Sequence, residues 1–251
     1  MSWFQNLFRK SKDSQSSLSL AILKVDMHSH LLPGIDDGSQ SIEESITLIR
    51  GLYELGYRKL ITTPHVMADQ YRNTPEIIQT KLAEVQAKLA DLQISIQIEA
   101  SAEYMIDDGF EAKLENKELI TFGNQHILVE TSMMVQPPFF EEIIFKLKTS
   151  GYRPILAHPE RYNFYWQDFK QFHRLKDLGL LLQLNINSLS GVYAPLAVKA
   201  AKYLIQNNLI DFLGTDTHHE RHLQLISKTV LHPDIQQLLN SGRLQNYTLC
   251  N

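Results

Sequence analysis

A single cysteine in 251 residues, Cys250, excludes a disulfide framework and a cysteine-rich zinc cluster. It also excludes a cysteinyl phosphatase, whose thiolate needs a phosphate-cradling loop and a downstream arginine, because only Asn251 follows it. So few thiols fit a reducing cytoplasm. Basic charge is in short supply as well, with 24 Lys and Arg against 28 Asp and Glu and a formal charge of -4. The cations are dispersed among acids, so no stripe could follow a nucleic-acid backbone, and nucleic acid is excluded as a partner. No apolar run reaches the roughly 20 residues that span a bilayer, and a secretory leader is not evident.

What remains is enough for one substantial core, since 43% of the residues are hydrophobic. Residues 1–20 read as an appendage. Trp3, Phe4, Leu7 and Phe8 share a helical face before Arg9, Lys10 and Lys12, and a polar linker runs from Ser11 to Ser19. Such a segment can touch an anionic membrane at its inner face or pack on the domain, and its length of barely two turns favours packing. Residues 21–251 form the domain.

Seven short apolar runs follow, and nearly all stop at a residue able to do chemistry. Ile22 to Met27 ends in His28 and His30, Lys59 to Thr63 before His65, and Ile94 to Ala102 at Glu103. Ile127 to Val129 ends in Glu130, Pro154 to Ala157 in His158, Leu180 to Ile186 carries Asn185 and Asn187, and Ile210 to Gly214 leads to Asp216 and His218. Helical patterns lie between them. The clearest puts Ile42, Ile46, Ile49 and Tyr53 on one face, opened by Ser41 with Glu44 and closed by Gly56. Others run from Pro75 to Leu92, Pro138 to Ser150, Phe169 to Leu178 and Pro195 to Asn207. The alternation predicts a parallel sheet, open or closed, and a barrel is the form that brings all the strand ends to one mouth.

His28 and His30 flank Ser29 with strand alternation, so both imidazoles point the same way and can grip one cation. Alone the pair says little, but Asp37, His65, Glu103, Glu130, His158, Asp216 and His218 recur at equivalent places. Each has a plainer reading. Asp36 and Asp37 before Gly38 make an ordinary turn; His219 competes with His218; Glu99 can face solvent; Asn185 and Asn187 can satisfy backbone groups. His126, His173, His222 and His232 match no motif, and surface or helix-face roles suffice for them. Tyr104, Tyr162, Met133 and Phe139 follow ligand positions and read equally as walls of an aromatic slot or as core.

The segments DMHSHLLPGIDDG (26–38), TTPH (62–65), AEY (102–104), VETS (129–132), AHPERY (157–162) and TDTH (215–218) resemble the tyrosine phosphatases of the polymerase-and-histidinol-phosphatase family, over residues 24 to about 222. The resemblance implies an α/β fold, a distorted barrel of about seven strands with three metal ions at its C-terminal mouth. It implies that His28, His30, Glu103 and Asp216 hold one metal. Glu103 would bridge to a second held by Glu130 and His158, and Asp37, His65 and His218 would hold the third.

Five imidazoles and four carboxylates suit manganese, iron or zinc better than calcium or magnesium. Three dications would leave a surplus of about two positive charges for a phosphate dianion. The expected reaction is in-line attack of metal-activated water on phosphorus, with Arg161 on the non-bridging oxygens and Arg221 as a second candidate whose spacing departs from the family pattern. A tyrosine phenolate, of pKa about 10, leaves without a dedicated general acid. The resemblance further implies a phosphotyrosine protein as partner, the Tyr-rich tail of a bacterial tyrosine kinase controlling polysaccharide export. The rival readings are a histidinol-phosphate-type phosphatase and a noncatalytic metal-bound regulator.

Overall fold

A computed structural model describes residues 20–250, and the expected N-terminal segment up to residue 19 lies outside them. The strands are β1 (Val25–Asp26), β2 (Lys59–Thr62), β3 (His65–Val66), β4 (Gln97–Ala100), β5 (Glu103–Met105), β6 (His126–Glu130), β7 (Arg153–Ala157), β8 (Leu181–Asn185) and β9 (Phe212–Gly214). Seven apolar runs become nine strands because two are broken. Pro64, which has no N–H to donate, separates β2 from β3, and Ser101–Ala102 separates β4 from β5.

All pairings between these strands are parallel, in the orders β1-β2-β4 and β3-β5-β6-β7-β8-β9. Backbone hydrogen bonds from Ser101 N to Thr62 O (2.9 Å) and Glu103 N to Pro64 O (3.0 Å) carry the ladder across the breaks. A parallel bridge between Ser29 and Thr217, with His30 N donating to Thr217 O and Asp216 N to His28 O, joins the last strand to the first. The expected distorted barrel results. Its lumen is filled by Val25, Met27, Ile61, Leu128, Ile155 and Phe212, while the alternate residues Ile127, Val129 and Leu156 face the helical layer.

The helices are α1 (Ile42–Glu54), α2 (Pro75–Asp91), α3 (Phe110–Glu115), α4 (Phe140–Thr149), α5 (Gln171–Asp177), α6 (Pro195–Gln206), α7 (Glu220–Thr229) and α8 (Pro233–Asn240). The sequence pattern predicts all but α3, α7 and α8. At the start of α1, Ser41 Oγ accepts from Glu44 N (3.2 Å) and the Glu44 carboxylate accepts from Gln40 N (2.7 Å), so two orphan donors are satisfied. The buried stripe of α1 is Ile46, Leu48, Ile49 and Leu52; Tyr53, expected on it, is exposed. The shift brings Gly51 against Leu223 of α7, where a Cβ would meet Leu223 Cδ1 at 2.4 Å.

His126 corrects another expectation, because it opens β6 at the end of the barrel away from the mouth and is only 2% exposed. Its ring lies against Phe122 and Phe212, and neither nitrogen has a hydrogen-bond partner. Burial, and after it the charge of Arg153, push its pKa down to about 4. The unfolded chain binds that proton near 6.5, so between the two values the unfolded state holds more protons and stability falls as pH drops. The loss attributable to His126 is on the order of 2–3 kcal/mol by about pH 4.5. Metal-free His126→Leu protein should lose that much less than the metal-free parent in urea titrations at pH 7 and 4.5; contributions from other histidines cancel. Equal losses would remove His126 from the pH response.

Candidate metal centre

The two histidines that follow β1 turn their Nε2 atoms to the same pair of carboxylate oxygens. His28 Nε2 is 3.1 Å from Glu103 Oε2 and 3.4 Å from Asp216 Oδ1; His30 Nε2 is 3.3 and 3.4 Å from the same oxygens. The other nitrogen of each ring is held: His28 Nδ1 by Gln183 Oε1 and His30 Nδ1 by Asp36 Oδ2, both at 2.8 Å. With Nδ1–H donating to these acceptors, each Nε2 lone pair is left for a cation. Asp36 also accepts from Gly38 N and His65 N, so the turn residue expected to be idle anchors two ligand-bearing loops.

His65 stands between two groups of donors. Its Nδ1 is 2.9 Å from Glu130 Oε1 and 3.3 Å from Glu103 Oε2, while its Nε2 is 3.5 Å from Asp37 Oδ1. His218 Nε2 is 3.4 Å from Asp37 Oδ1 and its ring stacks on His30 at 3.9 Å. His158 Nε2 reaches Glu103 Oε1 at 2.9 Å. All nine expected ligands therefore meet at one place. Their grouping differs from the expectation in two respects: His65 stands where His158 was expected beside Glu103 and Glu130, and His30 joins Asp37, His65 and His218. His219 is absent from these groups. It is the N-cap residue of α7 and packs on His222, whereas His218 stands in the group with His30, Asp37 and His65.

Burial sets the electrostatics. Glu103 and Asp216 would be raised by burial, yet the facing imidazoles hold both well below the usual carboxylate range. Burial opposes charge on His28 too, but Glu103 and Asp216 lift its pKa to about 9. Glu130 is raised by burial and then by the charge of Glu103. His65 Nδ1 and Glu130 Oε1, 2.9 Å apart, are buried without a well-directed hydrogen bond, and His158 Nδ1 is buried with no partner, an arrangement that costs free energy unless a cation uses it. These residues fit a cluster of divalent transition metals, which prefer mixed imidazole and carboxylate donors.

The local backbone is bent to make this possible. His158 (φ 34) and Asp216 (φ 49) sit in the left-handed region, at a cost of roughly 1 kcal/mol or more each. Gly38 allows its loop to lie on His30, where a Cβ would come within 2.3 Å of His30 O.

Arg161, in the short turn after β7, donates from Nη1 to Asp216 Oδ2 at 2.7 Å. Arg221 is exposed in the first turn of α7 and lines a groove of about 510 Å³ with Asp37, Leu48 and His218. The aromatic slot is only partly as expected. Tyr104 and Tyr162 are core, their hydroxyls accepting from Ile120 N and Thr131 N, whereas Phe139 lines a groove of about 560 Å³ with Met67, Met105 and Ser132. Asn185 donates to Asp216 Oδ2 at 2.8 Å, and His222 Nδ1 lies 3.0 Å from Asp216 O; neither role was expected. The placement of Gln183 and Asn185 two apart at the end of β8 was the only sequence signal for such support.

A parallel barrel whose mouth carries a buried cluster of imidazoles and carboxylates defines a metal-site hydrolase architecture. The chain belongs to the capsular polysaccharide synthesis family CpsB/CapC, whose profile it matches over residues 24–227. It is 28% identical to the tyrosine-protein phosphatase YwqE of Bacillus subtilis (strain 168), over 78% of this chain and 77% of that one. It is 28% identical to the tyrosine-protein phosphatase CpsB of Streptococcus pneumoniae, over 78% and 83%. Its fold matches a chain from the crystal structures of those two proteins, described as unique metal-dependent tyrosine phosphatases, with a TM-score of 0.77, 26% identity and coverage of 86% and 89%.

Proposed function

We propose that this chain is a metal-dependent protein-tyrosine phosphatase, and that His28, His30, Asp37, His65, Glu103, Glu130, His158, Asp216 and His218 hold its cations, three in number and manganese, iron or zinc in kind. The observation that carries the reading is Glu103, fully buried, with its two oxygens within 3.3 Å of the imidazoles of His28, His30, His65 and His158. When bound, such cations supply Lewis-acid stabilisation of phosphoryl charge and activate water at neutral pH.

The chain's own groups supply position. Gln183 and Asp36 fix the rings of His28 and His30, Asn185 steadies Asp216, and Arg161 offers a fixed positive charge beside them. Arg161 binds the non-bridging oxygens of the phosphoryl group, and Arg221, at the rim, meets the substrate farther out. A phenolate of pKa about 10 departs without an acid aimed at it. The physiological substrate in this reading is a phosphotyrosine protein, a bacterial tyrosine kinase of capsule or exopolysaccharide synthesis, in keeping with the family. A kinase substrate of that kind puts the chain at work in the cytoplasm.

Two measurements test this. The enzyme should hydrolyse a phosphotyrosine peptide faster than histidinol phosphate; the reverse preference moves it to the small-molecule phosphatases, and a metal-loaded protein inert on both is a regulator. Arg161→Ala should lower turnover by about ten- to a hundredfold with metal content nearly unchanged. Parental turnover in that variant would remove Arg161 from phosphate binding.

A further inference from the structure

Arg161 has a long side chain, 23% exposed, and only one of its N–H groups is engaged, by Asp216. No other N–H of the guanidinium has a partner among the described residues. A side chain tied at one point keeps much of its rotamer freedom, and a group meant to meet a phosphate at a set distance needs that freedom removed beforehand. The restraint comes from an aromatic ring. Tyr193, in the loop between the turn Ile186–Ser190 and α6, lies under the guanidinium, with Arg161 Cζ 4.4 Å from the ring centroid. That distance is well inside the range of a cation–π contact.

Tyr193 is itself held. Its hydroxyl accepts from Asn185 Nδ2 at 3.0 Å, and the same amide donates to Asp216 Oδ2 at 2.8 Å. Asp216 in turn accepts from Arg161, so four side chains from the ends of β7, β8 and β9 and the loop before α6 close a circuit. Tyr193 is partly exposed, unlike Tyr104 and Tyr162, and it contributes to neither apolar cluster, so core packing does not explain its place. We propose that Tyr193 is a positioning residue, whose ring presses the Arg161 guanidinium into the orientation that receives the phosphoryl group. The ring face is the operative part, and the hydroxyl only anchors it to Asn185. This rests on the assignment of Arg161 to phosphate.

The test is a double-mutant cycle on metal-loaded full-length protein, read by kcat/KM on a phosphotyrosine peptide and by the inhibition constant of inorganic phosphate. Tyr193→Phe keeps the ring and should stay within about threefold of the parent on both readouts. Tyr193→Leu should lose about five- to twentyfold in kcat/KM and weaken phosphate inhibition by a similar factor. In an Arg161→Ala background, Tyr193→Leu should cost less than about twofold more, because the group it positions is gone. Parental behaviour of Tyr193→Leu, a Phe variant as poor as Leu, or equal losses in both backgrounds overturns the proposal. Should the Leu variant melt early or lose metal, Tyr193→Met is judged by the same cycle. Arg161→Ala alone separates the two ideas: if it is impaired while Tyr193→Leu is not, only the role of Tyr193 fails, and if it is fully active the phosphate assignment fails first.

Discussion

Glu103→Gln should abolish phosphatase activity, by roughly three orders of magnitude or more, and release at least one equivalent of bound metal. The substitution conserves shape and removes one negative charge at the point where four imidazoles converge. A neutral amide oxygen is a poor ligand for a dication, and its NH2 group would point a donor at nitrogens that need their lone pairs for metal. The loss exceeds that from any single supporting group because two of the three donor groups contain Glu103. Elemental analysis of purified variant and parent, alongside turnover on a phosphotyrosine peptide, makes the check. Turnover within tenfold of the parent at full metal content would show that Glu103 is a structural carboxylate.

Exhaustive chelation of the parent should leave about 1% of its activity or less, restored by readdition of manganese, iron or zinc. The protein should remain folded, since its lumen and helical layer are packed by apolar side chains that need no metal. It should nonetheless melt several degrees lower, because a ligand that binds only the native state adds to stability. Loss of metal reunites buried imidazoles with buried carboxylates, and the raised pKa of His28 is the sign that this happens by protonation. Circular dichroism and turnover measured on the same chelated sample decide the matter. Undiminished hydrolysis would place the chemistry elsewhere.

Much of this was legible in the sequence, for identifiable reasons. Strands buried on both faces read as continuous apolar runs, and the runs that ended in His, Asp or Glu marked one mouth, so the barrel was legible from pattern, while the nine candidate ligands came from the family resemblance. The supporting residues were harder. Asp36 looked like a turn residue because Asp-Asp-Gly is a turn; that one of its two acids bonds an imidazole six residues earlier in the chain follows only from the close approach Gly38 permits. Gln183 and Asn185 are ordinary on an inner strand until β8 is known to neighbour both β7 and β9. His65 was assigned to one cation, yet a ring with two nitrogens can serve two groups, and spacing cannot say which. Helix α7 escaped because only Leu223, Ile226 and Thr229 of its ten residues are buried, too few to set a period.

The bridge between Ser29 and Thr217 lies inside the two ligand segments, with His28 and His30 on one side and Asp216 and His218 on the other. A growing chain on the ribosome holds His28 and His30 long before Asp216 and His218 emerge. Full cation uptake thus waits on the second segment, and a product shortened before Thr217 would lack the seam of the barrel and part of its cargo site at one stroke.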